Sequence, residues 1–150
     1  MIATSVGYDV VFLVHIVAAL ATLAVFITMR VAAVAVTRGA DAATQRARFP
    51  GGHNWAARVV HLMPITGLTM SFMGSSDVSL TRPWIITGIL VYLLAAGHLE
   101  ARTLPLEQLV ADVIDHEGVA SPARGRELVR SMDVLLGLIA VAFVAMLVQF

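Results

Sequence analysis

Four apolar stretches, separated by segments in which charged residues gather, dominate the hydropathy pattern of the chain. A helix that crosses a hydrocarbon core of roughly 30 Å needs about 20 mainly apolar residues. The stretches that approach this length lie at about residues 10–36, 55–74, 82–100 and 130–150. The pattern therefore predicts an all-α fold in which residues 1–150 form a single integral membrane domain, built as a four-transmembrane-helix bundle.

The polar segment between the third and fourth predicted spans contains two further helix signals. The stretch LEQLVADVIDHEG places one set of apolar residues at helical one-face spacing: Leu106, Leu109, Val110, Val113 and Ile114. It predicts a short amphipathic helix in the loop after Pro105. Because the polar face of this helix is acidic, we expect it to pack on the bundle or on a partner protein. In SPARGRELV, Ser121 as N-cap and Pro122 at the first helical position predict the start of the next helix.

Composition supports a membrane protein and excludes several kinds of chemistry. Hydrophobic residues make up 59% of the 150 residues and charged residues 13%, and the mean hydropathy is +0.86. The chain has no cysteine, which excludes disulfide exchange, thiolate metal sites and iron–sulfur ligation by its own residues. The formal net charge is zero. We expect contact with a lipid bilayer and no nucleic-acid partner.

The basic residues predict the orientation in the membrane, because positive charges gather in cytoplasmic loops. The segment around the first connection contains Arg30, Arg38, Arg46, Arg48 and Arg58, and the third connection contains Arg102, Arg124, Arg126 and Arg130. The second connection contains Arg82 alone. The first and third connections are therefore predicted to be cytoplasmic. This places both termini outside, in a multi-pass protein of a bacterial plasma membrane.

Ionisable residues inside the predicted spans are the candidates for function, since hydrocarbon excludes such groups unless they face the protein interior or a cavity. The candidates are His15, His61 and His98, with Asp133 near the start of the fourth span. At about 1.5 Å per residue, His61 and His98 both lie roughly 9 Å from the cytoplasmic edge, whereas His15 lies in the outer half. Arg58 precedes His61 by about one turn. Depth alone therefore permits His61, His98 and Asp133 to meet.

Three interpretations of these residues remain open. In the first, His15, His61 or His98 provides axial ligands for haem b, and Arg58 pairs with a propionate. In the second, His61, His98 and Asp133 form a metal site or a proton pathway. In the third, the polar side chains hold the helices together through interhelical hydrogen bonds.

The sequence also resembles a known group of proteins. The first-span stretch FLVHIVAALATLAVF, the second-span stretch MPITGLTMSF, a third span with Trp84 and His98, and a fourth after an arginine-rich turn carry the resemblance. They are similar to the small four-helix membrane proteins around HemJ, the CopD-type copper-resistance proteins and their relatives. The resemblance implies the same architecture and tetrapyrrole binding at His15 or His98. The lysine of the HemJ group falls near Thr87, and this chain has no lysine, so protoporphyrinogen oxidation does not carry over.

From these observations we predict a non-catalytic or accessory subunit of a membrane complex rather than an enzyme. Its partner would be another membrane protein or a second copy of the chain. Haem b binding through the intramembrane histidines is the first alternative, and a metal or proton pathway is the second.

Overall fold

The structure is a computed structural model that describes residues 6–73 and 80–148. Its regular elements in these ranges are all helical, which confirms the predicted all-α class. The elements in chain order are α1 (Val6–Thr37), α2 (Ala42–Arg48), a 3₁₀ segment (Ala56–His61), α3 (Leu62–Met73), α4 (Pro83–His98), a π-helical turn (Leu99–Thr103), α5 (Leu104–Glu117) and α6 (Pro122–Val148).

Within residues 6–73 and 80–148, three helices are long and apolar enough to cross a membrane. They are α1, the continuous helix Pro83–Glu117 formed by α4, the π turn and α5, and α6. These three helices overlap the first, third and fourth predicted spans. The second predicted span is divided into the 3₁₀ segment and the 12-residue α3. Residue 74, at the end of that span, and residues 149 and 150, at the end of the fourth, lie outside the described residues.

The predicted amphipathic helix exists, but it is not a separate helix in a loop. The π turn connects α4 directly to α5, which begins at Leu104 and has Pro105 in its first turn. In a regular α-helix the proline ring would collide with the carbonyl of Ala101, four residues earlier. The wider π turn, with the Leu104 N–H bonded to the Leu99 carbonyl, accommodates the ring. Three of the five residues of the predicted apolar face of α5 are buried, whereas Leu109 is 39% exposed. The helix α5 ends before Gly118, whose φ is +86°.

The buried core lies where the C-terminal part of α1 meets the N-terminal part of α6 and the helix α5. Its largest fully buried side chains include Phe26, Leu99, Ile114, Leu128, Met132 and Leu135. On the outside of the bundle, large apolar side chains such as Phe72 and Leu94 are exposed. An apolar exterior around a packed helical core is what a lipid environment requires of a membrane protein.

The short helix α2 is tied to the rest of the chain by one buried amide. Asp41 caps the helix, and hydrogen bonds from Thr44 hold the pKa of the Asp41 carboxyl below its ordinary value. Gln45 is only 1% exposed; its Nε2 donates to the Ala40 carbonyl at 2.9 Å, and its Oε1 accepts from the Ala120 N–H at 2.9 Å. This side chain therefore fastens the first connection to the segment that precedes α6.

We expect Gln45→Leu to destabilise the protein by roughly 1–3 kcal/mol, because it leaves the buried Ala120 N–H without a partner. Thermal unfolding in detergent measures the effect. Gln108→Leu is the matched control, since Gln108 is exposed on α5, and its effect should stay within about 0.5 kcal/mol. Equal unfolding temperatures for the two variants would contradict the role of the Gln45 amide.

Candidate functional site

A cavity of about 390 Å³ lies between α1, α3, α4 and α6. Its wall is almost entirely apolar and includes the rings of Trp84, Tyr92 and Phe143. His15 is the only imidazole on this wall within the described residues, and no charged side chain there lines the cavity. The volume falls in the range of roughly 300–1,000 Å³ that is typical of small-molecule sites in proteins.

The imidazole of His15 is held in place by α3. Its Nδ1 lies 2.7 Å from the hydroxyl oxygen of Thr66, and that hydroxyl also lies 2.7 Å from the Leu62 carbonyl oxygen. When the hydroxyl donates to the Leu62 carbonyl, Nδ1 carries the ring hydrogen and Nε2 is left as an acceptor. Nε2 has no hydrogen-bond partner among the described residues. The helices α1 and α3 are close at this point, since a Cβ at Gly67 would lie 3.7 Å from Cε1 of His15, an ordinary van der Waals contact.

His61 belongs to a different hydrogen-bonded group on the 3₁₀ segment and α4. Its Nδ1 lies 3.0 Å from the Tyr92 hydroxyl and its Nε2 lies 3.2 Å from Oε1 of Glu100. Arg58 donates to both Glu100 oxygens, at 2.9 and 3.0 Å, and its guanidinium lies 5.2 Å from the centre of the Trp55 ring. A bidentate pair of this kind fixes geometry as well as charge. These contacts fasten the 3₁₀ segment to α4 and to the π turn that follows it.

His98 points away from His61 and binds α6. Its Nε2 lies 3.0 Å from the Ser131 hydroxyl and 3.2 Å from the Ser131 carbonyl oxygen. The Ser131 hydroxyl is also 2.8 Å from the hydroxyl of Thr103 in the π turn. His98 therefore acts as an interhelical hydrogen-bonding group between α4 and α6, as the third interpretation of the sequence expected of intramembrane polar residues.

Asp133 pairs with α1 rather than with a histidine. Nε of Arg30 donates to its Oδ1 at 2.6 Å. The predicted triad of His61, His98 and Asp133 is thus divided among three separate groups of contacts. No three His, Asp or Glu residues in the described ranges are placed so that they could hold a metal ion. The depth predicted from the sequence was similar for these residues, but their contacts lie with different helices of the bundle.

Tyr92, Ser131 and Thr103 complete these contacts, and sequence reasoning did not single them out. A hydroxyl in an apolar helix is a weak signal for an interhelical contact, because it can bond to its own helix. Thr22 does this, since its hydroxyl donates to the Ala18 carbonyl four residues earlier at 2.8 Å. Nothing in a single sequence distinguishes such a residue from Ser131, whose hydroxyl bonds to two other segments.

The residues present do not fit a haem b with two axial histidines, the first of the three interpretations. Two axial imidazoles on one iron would need two histidines on the cavity wall, and His61 and His98 are outside it. Arg58, the predicted propionate partner, binds Glu100 and does not line the cavity. Burying two propionates against an apolar wall carries a large desolvation cost. The cavity with its single imidazole fits an uncharged ligand.

Comparison of the chain with protein-family models, with curated proteins and with solved structures gave no match. The class is defined by the fold itself, as a multi-pass helical membrane protein with three candidate spans. The resemblance to the HemJ and CopD group stays a prediction.

Proposed function

We propose that this protein is a four-span integral membrane protein that binds an uncharged, apolar ligand in its cavity and orients it through His15. The observation that carries the proposal is the position of the His15 imidazole. The ring is buried, its Nδ1 is engaged by Thr66, and its Nε2 is left without a partner on the wall of an apolar cavity. One fixed polar group in an apolar pocket is the usual arrangement for orienting a small ligand.

The fourth crossing would be formed by the 3₁₀ segment together with α3. Six residues at about 2.0 Å each and twelve at about 1.5 Å each give a length of about 30 Å. That length matches the hydrocarbon core of a bilayer. Pro64 is tolerated because it lies in the first turn of α3, where its missing N–H breaks no α-helical hydrogen bond. With this crossing included, the arginine distribution supports a bacterial plasma-membrane protein with both termini outside.

The chemistry of the wall defines the class of ligand. With Nδ1 as the donor to Thr66, Nε2 of His15 accepts a hydrogen bond, so the ligand would donate one from a hydroxyl group. The flat rings of Trp84 and Tyr92 on the same wall favour a planar ring system. A lipid-soluble alcohol with an aromatic head, such as an isoprenoid quinol, combines these properties and reaches the cavity from the bilayer.

Binding of this kind requires no chemistry from the protein, which agrees with a non-catalytic role. The protein would act as an accessory subunit that holds a membrane-soluble molecule and presents it to a partner. That partner would be another membrane protein or a second copy of the chain.

We expect His15→Leu to reduce the ligand retained by the purified protein by roughly three- to ten-fold, the factor for one lost hydrogen bond. The protein would be purified in mild detergent, extracted with organic solvent, and the extract quantified by mass spectrometry. His98→Gln is the matched control, because His98 also lies in a predicted span but does not line the cavity, and glutamine can still donate a hydrogen bond to Ser131. Its extract should equal that of the wild type.

Two results would overturn this proposal. Equal retention in the wild type and His15→Leu would remove His15 from the site. A Soret band that His15→Leu abolishes would show that the ligand is a haem and not an uncharged molecule. Thr66→Val provides a second test, since it frees the imidazole without deleting it and should weaken retention less than His15→Leu does.

A further inference from the structure

A second concave site, separate from the cavity, lies between the π turn and the first half of α6. It has a volume of about 510 Å³ and contains three arginines, Arg102, Arg126 and Arg130. His98 and Ser131 lie on its wall, and Val134 lines the side one turn deeper along α6. We refer to this site as the arginine pocket.

The arginine pocket carries an excess of positive charge. Its one acidic residue, Glu127, is shared by Arg102 at 3.5 Å and by Arg124 at 3.8 Å. Arg126 and Arg130 form no ion pair within residues 6–73 and 80–148. These two arginines are four residues apart on α6, where like charges repel across one helical turn. An anion bound between them would remove this repulsion.

The position of the arginine pocket along the bundle indicates which kind of anion it would bind. The third predicted span ends at about residue 100 and the fourth begins at about residue 130, so the pocket lies at the predicted cytoplasmic membrane surface. Anionic phospholipid headgroups occupy this level, and basic pockets between transmembrane helices bind them. Val134 is 47% exposed and lies one turn beyond Arg130 on α6, on the side that the predicted spans place in the bilayer.

We propose that the arginine pocket binds the phosphate of an anionic phospholipid from the cytoplasmic leaflet. The guanidinium groups of Arg126 and Arg130 donate hydrogen bonds to the phosphate oxygens, a geometry that arginine satisfies in bidentate form. Arg102 adds positive charge from the opposite side, and the glycerol backbone and first acyl carbons lie against Val134. This site is independent of the ligand in the cavity, although both rest on the proposed membrane topology.

The test compares lipid binding by two double variants. The protein in detergent is mixed with phosphatidylglycerol or with phosphatidylcholine, and bound lipid is counted by native mass spectrometry. We expect the wild type to prefer phosphatidylglycerol. R126Q/R130Q should weaken phosphatidylglycerol binding roughly 30-fold, at about five-fold for each arginine. R38Q/R48Q is the control, because it removes the same charge from exposed arginines outside the pocket, and its affinity should stay within about two-fold of the wild type.

Several results would overturn the proposal. If the two double variants lost phosphatidylglycerol binding equally, the binding would reflect general attraction between charges and not a specific site. Unchanged binding by R126Q/R130Q, or no preference for phosphatidylglycerol, would remove the lipid site. Binding of inorganic phosphate through the same arginines without a preference for phosphatidylglycerol would assign the pocket to a free anion. Retention of the cavity ligand by R126Q/R130Q shows that any loss belongs to the arginine pocket and not to the His15 site.

Discussion

Gly125→Ala is expected to destabilise the bundle, although alanine is the better helix former. Gly125 lies in the first turn of α6, where a Cβ would be 2.5 Å from the backbone nitrogen of Thr37 and 2.7 Å from its hydroxyl oxygen. The backbone of α1 cannot give way as a flexible side chain would. Helix propensity favours alanine by about 1 kcal/mol, whereas overpacking costs about 1–3 kcal/mol. We expect a lower unfolding temperature in detergent, and a larger decrease for Gly125→Val.

The matched control for this prediction is Gly137→Ala on the same helix. A Cβ at Gly137 would meet nothing within 4 Å, so alanine there should leave stability unchanged or raise it by up to about 1 kcal/mol. If the two alanine variants unfold at the same temperature, the close approach of α1 and α6 at Gly125 does not contribute to stability. This comparison separates the effect of packing from the effect of losing a glycine in a helix.

The long helices could be predicted from the sequence because lipid leaves few alternatives. A backbone in hydrocarbon must satisfy its own hydrogen bonds, so the length and polarity of a segment largely decide whether it crosses as a helix. The start of α6 was also predicted correctly: the helix begins at Pro122, and the Arg124 N–H lies 3.5 Å from the Ser121 hydroxyl. A local signal of this kind depends on only a few neighbouring residues, all of them present in the sequence.

The continuity of α4 and α5 could not be predicted in the same way. A proline in the sequence marks a boundary in most helices, and Pro105 was therefore placed before a separate helix. The structure instead widens the preceding turn into a π helix, which removes the collision and keeps the helix continuous. Whether a helix ends or widens at a proline depends on what packs beyond it. Here Val110 and Ile114 of α5 pack into the core and are fully buried.

The contacts of the candidate residues could not be predicted, because the sequence indicates a level along each helix but not the side that a residue faces. Counting residues along a helix gives the level of a side chain in the membrane, whereas the side it faces depends on the rotation and tilt of the helix. His98 and Glu100 lie at nearly the same level, but two residues correspond to about 200° around the helix axis. Glu100 therefore faces His61 and His98 faces Ser131. The cavity beside His15 could not be predicted from the sequence either, since it is formed by four segments that are distant in sequence.

Asp133→Asn is expected to lower stability strongly, because it leaves the charge of Arg30 unbalanced in the membrane. Both residues lie within predicted spans, and Nε of Arg30 donates to Oδ1 of Asp133 at 2.6 Å between α1 and α6. An unpaired arginine at the centre of a transmembrane helix costs about 2.5–3.5 kcal/mol, and less near the interface, which its side chain can reach. We expect a decrease of about 1–3 kcal/mol, measured by thermal unfolding in detergent and by the fraction of the expressed protein recovered in the membrane.

The double variant Arg30→Met with Asp133→Leu tests why Asp133 is needed. It shows whether Asp133 only neutralises the charge of Arg30 or whether the ion pair itself stabilises the bundle. The side chains of Arg30 and Asp133 are 40% and 49% exposed, and in the predicted spans this exposed surface faces lipid and not water. Replacing both partners of an ion pair in such a medium with apolar residues is often neutral or stabilising, so we expect the double variant to be at least as stable as the wild type. Glu127→Gln is the control, because it removes a carboxylate that pairs with arginines at the predicted water-exposed surface, where such pairs contribute at most about 1 kcal/mol. Similar small losses for Asp133→Asn and Glu127→Gln would place the Arg30–Asp133 pair in water. The first span would then end before Arg30, and the fourth span would begin after Asp133.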